Sequence, residues 1–228
     1  MQIAAFFDID GTLTTTHVWQ GFMDYFRIHN LHRGTHLLFQ IVHYPLYLLR
    51  KTGILSESKF RTVWADHMAW YLRGFTPDQA EAIWDWIVGQ YLDRNKYWRE
   101  DVRAILDEHL HSGHVVILVS SSSAPLIRSI ALRLGTPHGV GTKLEISKGR
   151  YTGRSLYPVC IDQYKASMAK DYLTSINLDI DFGASFAYAD SITDQGLLEM
   201  VGKPFAVYSD ALLDSLAQSR GWRIYRGA

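Results

Sequence analysis

The sequence predicts an α/β fold: a Rossmann-like, doubly wound parallel sheet with a helical segment inserted after its first strand. Apolar, β-rich runs at residues 3–8, 115–120 and 185–190 are continuous rather than alternating, as expected of strands covered on both faces. From Trp98 onward such runs alternate with helical patterns, the signature of parallel βαβ units. Between the first run and the rest, residues 14–98 read as helical and hold six of the seven tryptophans.

The first strand, "IAAFF", is closed by "DIDGT" at residues 8–12. In the inserted block, "TPDQ" at Thr76–Gln79 is a helix start: Thr76 caps, Pro77 takes the first helical position, and Gln79 completes a capping box. Earlier in the block, "LLFQIVHYPLYLL" (Leu37–Leu49) has 13 residues and contains Gln40, His43 and Pro45. A spanning helix needs about 20 apolar residues, so this segment is too short and too polar to cross a membrane. It is expected to be buried in the helical core or a partner interface. Arg33, Arg50 and Lys51 flank it, which leaves peripheral contact with a membrane surface as the alternative.

After Trp98 a helix runs to about His111 and stops at Gly113. The strand at 115–120 is followed by a helix over Ala124–Leu134, ended by Gly135. A hairpin is expected over 140–153, turning at Lys148-Gly149. A helix at Gln163–Ile176, the strand at 185–190, a helix near Thr193–Val201, the strand "PFAVY", a helix around 210–219 and a short strand "WRIY" complete the chain. There is no internal repeat. The expected division is a core of residues 1–13 and 99–228 with a helical cap of 14–98.

With 228 residues, 47% of them hydrophobic and 20% charged, the chain can bury a sizeable core. Basic and acidic residues balance at 23 each, so no net field points to nucleic acid. Cys160 is the only cysteine, which excludes an internal disulfide and fits a reducing compartment. The start, "MQIAAFFD", has no basic region or cleavage site, and a cytoplasmic location is expected.

Ligands of open α/β sheets bind beyond the carboxyl ends of the strands. Three of the runs end there in polar residues: Asp8 with Asp10, Ser120, and Asp190. Carboxylates are costly to bury unpaired, so two of them closing an apolar strand point to a metal or a reaction. "DIDGT" (8–12), "VSSSS" (119–123), Lys165 and "DSITD" (190–194) stand in an order that resembles the haloacid dehalogenase superfamily. Within it they resemble the branch that includes phosphoserine phosphatase. The likeness covers nearly the whole chain, including "KGRYTG" before the lysine and "DSITDQGLLEMVGKPFAV" after it.

The resemblance implies Mg²⁺-dependent hydrolysis of a phosphate monoester through an aspartyl-phosphate, beneath a cap that selects the substrate. It makes Asp8 the nucleophile and Asp10 the general acid and base. The Asp8 side chain, the Asp10 backbone carbonyl and Asp190 would hold Mg²⁺, with Asp194 supporting them from behind. Gly11, Thr12, Ser120, Ser121 and Lys165 would bind the phosphoryl group. Aspartate at position 10 favours phosphate-ester chemistry over dehalogenation. Two departures from the pattern are Ala189, where glycine is usual, and the Ser121-Ser122 pair.

A phosphotransferase using the same aspartyl-phosphate, a lipid-headgroup phosphatase at a membrane surface and a catalytically silent binding module are the rival readings. In the resembled phosphoserine phosphatases, a glutamate nine residues after the nucleophile meets the substrate's ammonium. Here that residue is His17, so phosphoserine is expected to be a poor substrate. His109, His111 and His114 fall at a helix end away from the site and are expected to meet its dipole rather than zinc. Cys160 is expected to be a buried or half-buried thiol without a catalytic role.

Overall fold

In the computed structural model, which describes residues 1–227, six parallel strands form one sheet in the order β3-β2-β1-β6-β7-β8. They are β1 (Ala4–Phe7), β2 (Val115–Ser123), β3 (His138–Thr142), β6 (Phe186–Ala189), β7 (Lys203–Val207) and β8 (Arg223–Tyr225). Two more, β4 (Leu144–Ser147) and β5 (Arg150–Ser155), make a separate antiparallel pair. The order reverses at β1, which pairs with β2 on one side and β6 on the other.

Alternate residues of the strands enter opposite cores. Ala4, Phe6, Ile117, Val119, Ala187 and Ala189 pack against α7 (Gln163–Ser175), α8 (Gln195–Glu199) and α9 (Ala211–Arg220). Ala5, Phe7, Val116 and Leu118 face α5 (Glu100–His111) and α6 (Ala124–Arg133). The second core continues without a break into the inserted block through Phe22, Phe26, Tyr71, Ile83, Trp84 and Leu92.

That block comprises α1 (Val18–Ile28), α2 (Arg33–Lys51), α3 (Glu57–His67), a 3₁₀ turn at Met68–Leu72, α4 (Pro77–Trp86) and a π-helical stretch at Ile87–Asp93. The capping box at Thr76 and Gln79 is formed in both directions. The chain leaves the sheet and returns to it at one place: Thr14 bridges Trp98, and Arg99 N–H donates to the Leu13 carbonyl at 2.9 Å.

Several expectations are corrected. Residues 140–142 belong to the sheet edge as part of β3, and the hairpin is confined to β4 and β5. Glycines make that edge possible: a Cβ on Gly141 would lie 2.6 Å from the Ser122 carbonyl, and one on Gly139 would lie 2.9 Å from that of Ile127. β2 runs on through the serines to Ser123, whose side chain caps nothing.

The segment 37–49 is not a buried helix. Within α2 only Phe39 and His43 are buried, and most of its apolar side chains face solvent. His109 is buried, with Nδ1 2.7 Å from His114 Nδ1 and Nε2 2.8 Å from Tyr188 Oη. Burial, helped by His114 and Lys203, pushes it down to about 4, so at neutral pH it is an uncharged hydrogen-bonding residue, not a cation on the helix dipole. Cys160 is fully buried, which pushes its thiol up to about 12.

Candidate active site

Asp8 follows the last residue of β1, and its N–H still donates to the Tyr188 carbonyl at 2.9 Å, so the sheet fixes where its carboxylate stands. The chain then turns sharply, with Thr12 and Thr14 N–H groups donating to the Ile9 carbonyl. Gly11 sits at φ +89°, and a Cβ there would lie 2.1 Å from Asp190 Oδ2, so no other residue fits. Thr12 Oγ1 lies 3.1 Å from Asp8 Oδ2 and 3.3 Å from Asp190 Oδ1, tying the ends of β1 and β6 together.

Asp194 arrives on a short 3₁₀ turn after β6. Lys165, in the first turn of α7, places Nζ 2.6 Å from Asp8 Oδ1 and against Asp194 Oδ1. One carboxylate oxygen from each of Asp8, Asp190 and Asp194 lies within 4.8 Å of the others.

Negative charge here exceeds what Lys165 offsets. Burial first, then the neighbouring carboxylates Asp8 and Asp194, push Asp190 up to about 8. Asp194 is raised by burial, with Lys165 opposing and Asp8 adding to the rise, to about 6. Burial disfavours the Lys165 ammonium, but the Asp194 and Asp8 carboxylates more than offset this and hold it protonated. All-oxygen donors with unspent negative charge suit a hard divalent cation such as Mg²⁺.

Asp10 is held from the other side. Its Oδ1 accepts from the Val18 N–H, at the N-terminus of α1, at 2.7 Å. Burial and the nearby Asp8 push its carboxyl up to about 7, against the lowering by Val18, Lys165 and Arg61. A carboxyl titrating there can both give and take a proton near neutrality.

Asp8, Asp10, Ser121, Lys165, Asp190 and Asp194 form the floor of a cavity of about 350 Å³, and His17 stands in its wall. Ser120 is not among its lining residues: it is buried, and its Oγ accepts from the Ser122 N–H at 3.2 Å.

The rest of the wall was not foreseen. Arg61 on α3 donates to Thr193 Oγ1 at 2.8 Å and lies 3.4 Å from Ser191 Oγ, so it reaches across to the loop that carries Asp190 and Asp194. Glu57 pairs with Arg50 at 3.0 Å and Arg61 at 3.6 Å. Tyr47, Phe60 and Trp64 complete that side. The spacing Glu57–Phe60–Arg61–Trp64 marks one face of a helix and was a usable signal for a shared surface, though not for what it faces.

His17 caps α1 in an extended conformation, with its ring stacked on Trp19. Burial and Arg61 lower its pKa, and Asp8 opposes them, so it is neutral at physiological pH.

Over residues 5–199 the chain matches the family described as haloacid dehalogenase-like hydrolase. A protein of Mycobacterium tuberculosis named phosphoserine phosphatase SerB1 is 29% identical over 227 residues, covering 97% of this chain and 70% of that one. An inhibition of morphological differentiation protein of Streptomyces azureus is 28% identical over 235 residues, covering 97% and 77%. Among solved structures, a protein of unknown function from Bordetella pertussis Tohama I superposes with a TM-score of 0.79 at 23% identity, covering 99% of both chains, which shows a shared fold.

Proposed function

The chain belongs to the haloacid dehalogenase-like hydrolases, and from that premise we propose that it is a Mg²⁺-dependent phosphatase. It would hydrolyse a phosphate monoester through an aspartyl-phosphate on Asp8, beneath a helical cap formed by residues 14–98. The observation that carries this reading is the convergence of Asp8, Asp10, Lys165, Asp190 and Asp194 on one cavity, with Asp10 titrating near neutrality.

An oxygen of Asp8 attacks the phosphorus, and the bond from phosphorus to the ester oxygen breaks. Asp10 delivers its proton to the leaving alcohol. Asp10, now ionised, takes a proton from water as that water's oxygen attacks the phosphorus, and the bond to Asp8 breaks to release inorganic phosphate. The Lys165 ammonium stabilises the phosphoryl oxygens, together with N–H groups near Gly11 and Ser121 and the hydroxyls of Thr12 and Ser120. In this role the Ser120 hydroxyl must exchange its bond with the Ser122 N–H for one to substrate. Asp8, Asp190 and the Asp10 carbonyl would hold the Mg²⁺, with Asp194 behind them; the ion would neutralise the approaching charges and polarise a phosphoryl oxygen.

For the substrate, the name of the M. tuberculosis relative suggests phosphoserine, but the wall argues otherwise. Neutral His17 supplies no carboxylate for an ammonium, and Glu57 is already paired with two arginines. A leaving group without an ammonium near the ester is the better fit. The test is acid-quenched trapping of phosphoenzyme with wild type and Asp8→Asn, plus a panel of phosphomonoesters. The expected result is an acid-stable phosphoenzyme absent from Asp8→Asn, loss of turnover in chelator, and phosphoserine among the weaker substrates. Turnover by Asp8→Asn would overturn the mechanism. Product analysis with added alcohols separates hydrolysis from phosphoryl transfer.

A further inference from the structure

α2 presents its apolar side to solvent. Phe39 and His43 point inward, while Leu37, Leu38, Ile41, Tyr44 and Leu48 lie on the opposite face. Leu37 is 59% exposed, Ile41 61% and Tyr44 66%. Ile54, in the turn that follows, is 75% exposed and extends the patch. Scattered exposed leucines need no explanation, but a contiguous stripe along about three turns of one helix, Leu37 to Leu48, does.

Charge identifies the occupant. α2 carries no aspartate or glutamate, and exposed basic residues stand at its two ends, Arg33 and Lys51. On the adjoining α3, Glu57 is already paired with Arg50 and Arg61. If two copies paired through this face, cation would meet cation at both ends in either orientation, with no acid on the helix to offset them. An anionic surface supplies the missing charge. Apolar residues with a tyrosine on one face, a second tyrosine, Tyr47, at its margin and cations at the ends are what a helix lying in a lipid interface requires.

The face is also continuous with the active-site entrance. Tyr47 and Trp64 line the catalytic cavity on one side and a shallow apolar depression beside Leu37, Ile41 and Tyr44 on the other.

We propose that the outer face of α2, extended by Ile54, docks on an anionic phospholipid bilayer and sets the mouth of the catalytic cavity against the headgroup layer. Only the placement of the cavity mouth rests on the function proposed above; docking of the face itself is read from vesicle binding, so a protein that binds vesicles without turnover would fail that function and not this surface.

The experiment is co-sedimentation of the full chain with vesicles of phosphatidylcholine alone or of equimolar phosphatidylcholine and phosphatidylglycerol, paired with light scattering for oligomeric state. The expected result is a monomer that binds the anionic vesicles about tenfold more tightly than the neutral ones and is released by salt. The double variant Ile41→Glu/Leu48→Glu should lose about tenfold or more of that binding while keeping hydrolysis of soluble p-nitrophenyl phosphate. Arg33→Gln/Lys51→Gln, which leaves the apolar face intact, should lose the preference for anionic vesicles. Failure to bind either vesicle would overturn the proposal, as would equal binding to both or unchanged binding by the glutamate variant. A dimer that the glutamate variant splits, with no vesicle binding, would assign the face to a second copy instead.

Discussion

The floor and the wall of the cavity differ in how they hold charge. On the floor, Asp8, Asp190, Asp194 and Lys165 are locked by strand ends and by one another, with little solvent to relax into. In the wall, Arg50, Glu57 and Arg61 form a looser set on two helices, part exposed and anchored to the floor mainly where Arg61 meets Thr193. In the proposed mechanism the floor carries the functions that depend on fixed geometry, and the wall those that vary with the substrate.

The contrast would be broken most sharply at Asp8. Asp8→Asn keeps size and shape, and turnover should fall by roughly 10⁴-fold or more with the melting curve preserved. Asp10→Asn should cost about 10²- to 10⁴-fold, and its burst kinetics should show slowed formation or breakdown of the phosphoenzyme. A loss at Arg61 as large as that at Asp8 would erase the distinction between floor and wall.

Arg61→Ala is instead expected to lower kcat/KM by about 10- to 100-fold, mostly through KM, with Arg61→Lys recovering part. A smaller change is expected at His17: His17→Glu should raise kcat/KM for phosphoserine relative to other phosphomonoesters by about tenfold. An unchanged ratio would show that this position does not face the leaving group.

The smallest effect concerns stability. Asp10 and Asp190 titrate at about 7 and about 8 in the folded chain, against an ordinary value of 3.8. Above that ordinary value the folded, metal-free protein holds protons that the unfolded chain has released, so its stability falls as pH rises. Buried histidines such as His109 act in the opposite sense up to about their ordinary value of 6.5. The clean window is thus roughly pH 7 to 8.5, where Tm in chelator should fall by about 3–5 °C. Mg²⁺ should restore most of that at the alkaline end. A rising Tm in chelator would show that the floor is not charge-strained.

Floor and wall were also unequally legible in the sequence. Asp8, Asp10 and Asp190 close apolar strands, so local pattern and the α/β topology place them together. Lys165 needed the family resemblance, because a lysine in a helix looks like any surface lysine. Ser120 was legible as the end of an apolar run, but the strand's continuation to Ser123 and the bond from the Ser122 N–H were not. Residues 140–142 read as a hairpin because β3 is short and bears two glycines, and only packing against α6 explains them. α2 shows why periodicity has a limit. Its pattern marks apolar residues without saying which side faces the protein: of the readings it allows, core, partner interface or membrane surface, the outward stripe rules out only the core. Arg61 and Glu57 were legible as a helix face but not as part of a site, since their partners lie on the 191–193 loop.

The placement of β1 also shapes how the protein must be made. Ala4 lies beside Val115 and Ala5 beside Phe186, so this strand precedes every strand it pairs with by more than a hundred residues. On the ribosome it emerges with four apolar side chains and no neighbour, and must wait while the helical block forms from contacts nearer in sequence. The carboxylate of Asp8 therefore takes its final position only after the far half of the chain has been synthesised, and a nascent chain stalled before Phe186 has β2 to pair with but leaves the other edge of β1 open and lacks Asp190 and Asp194.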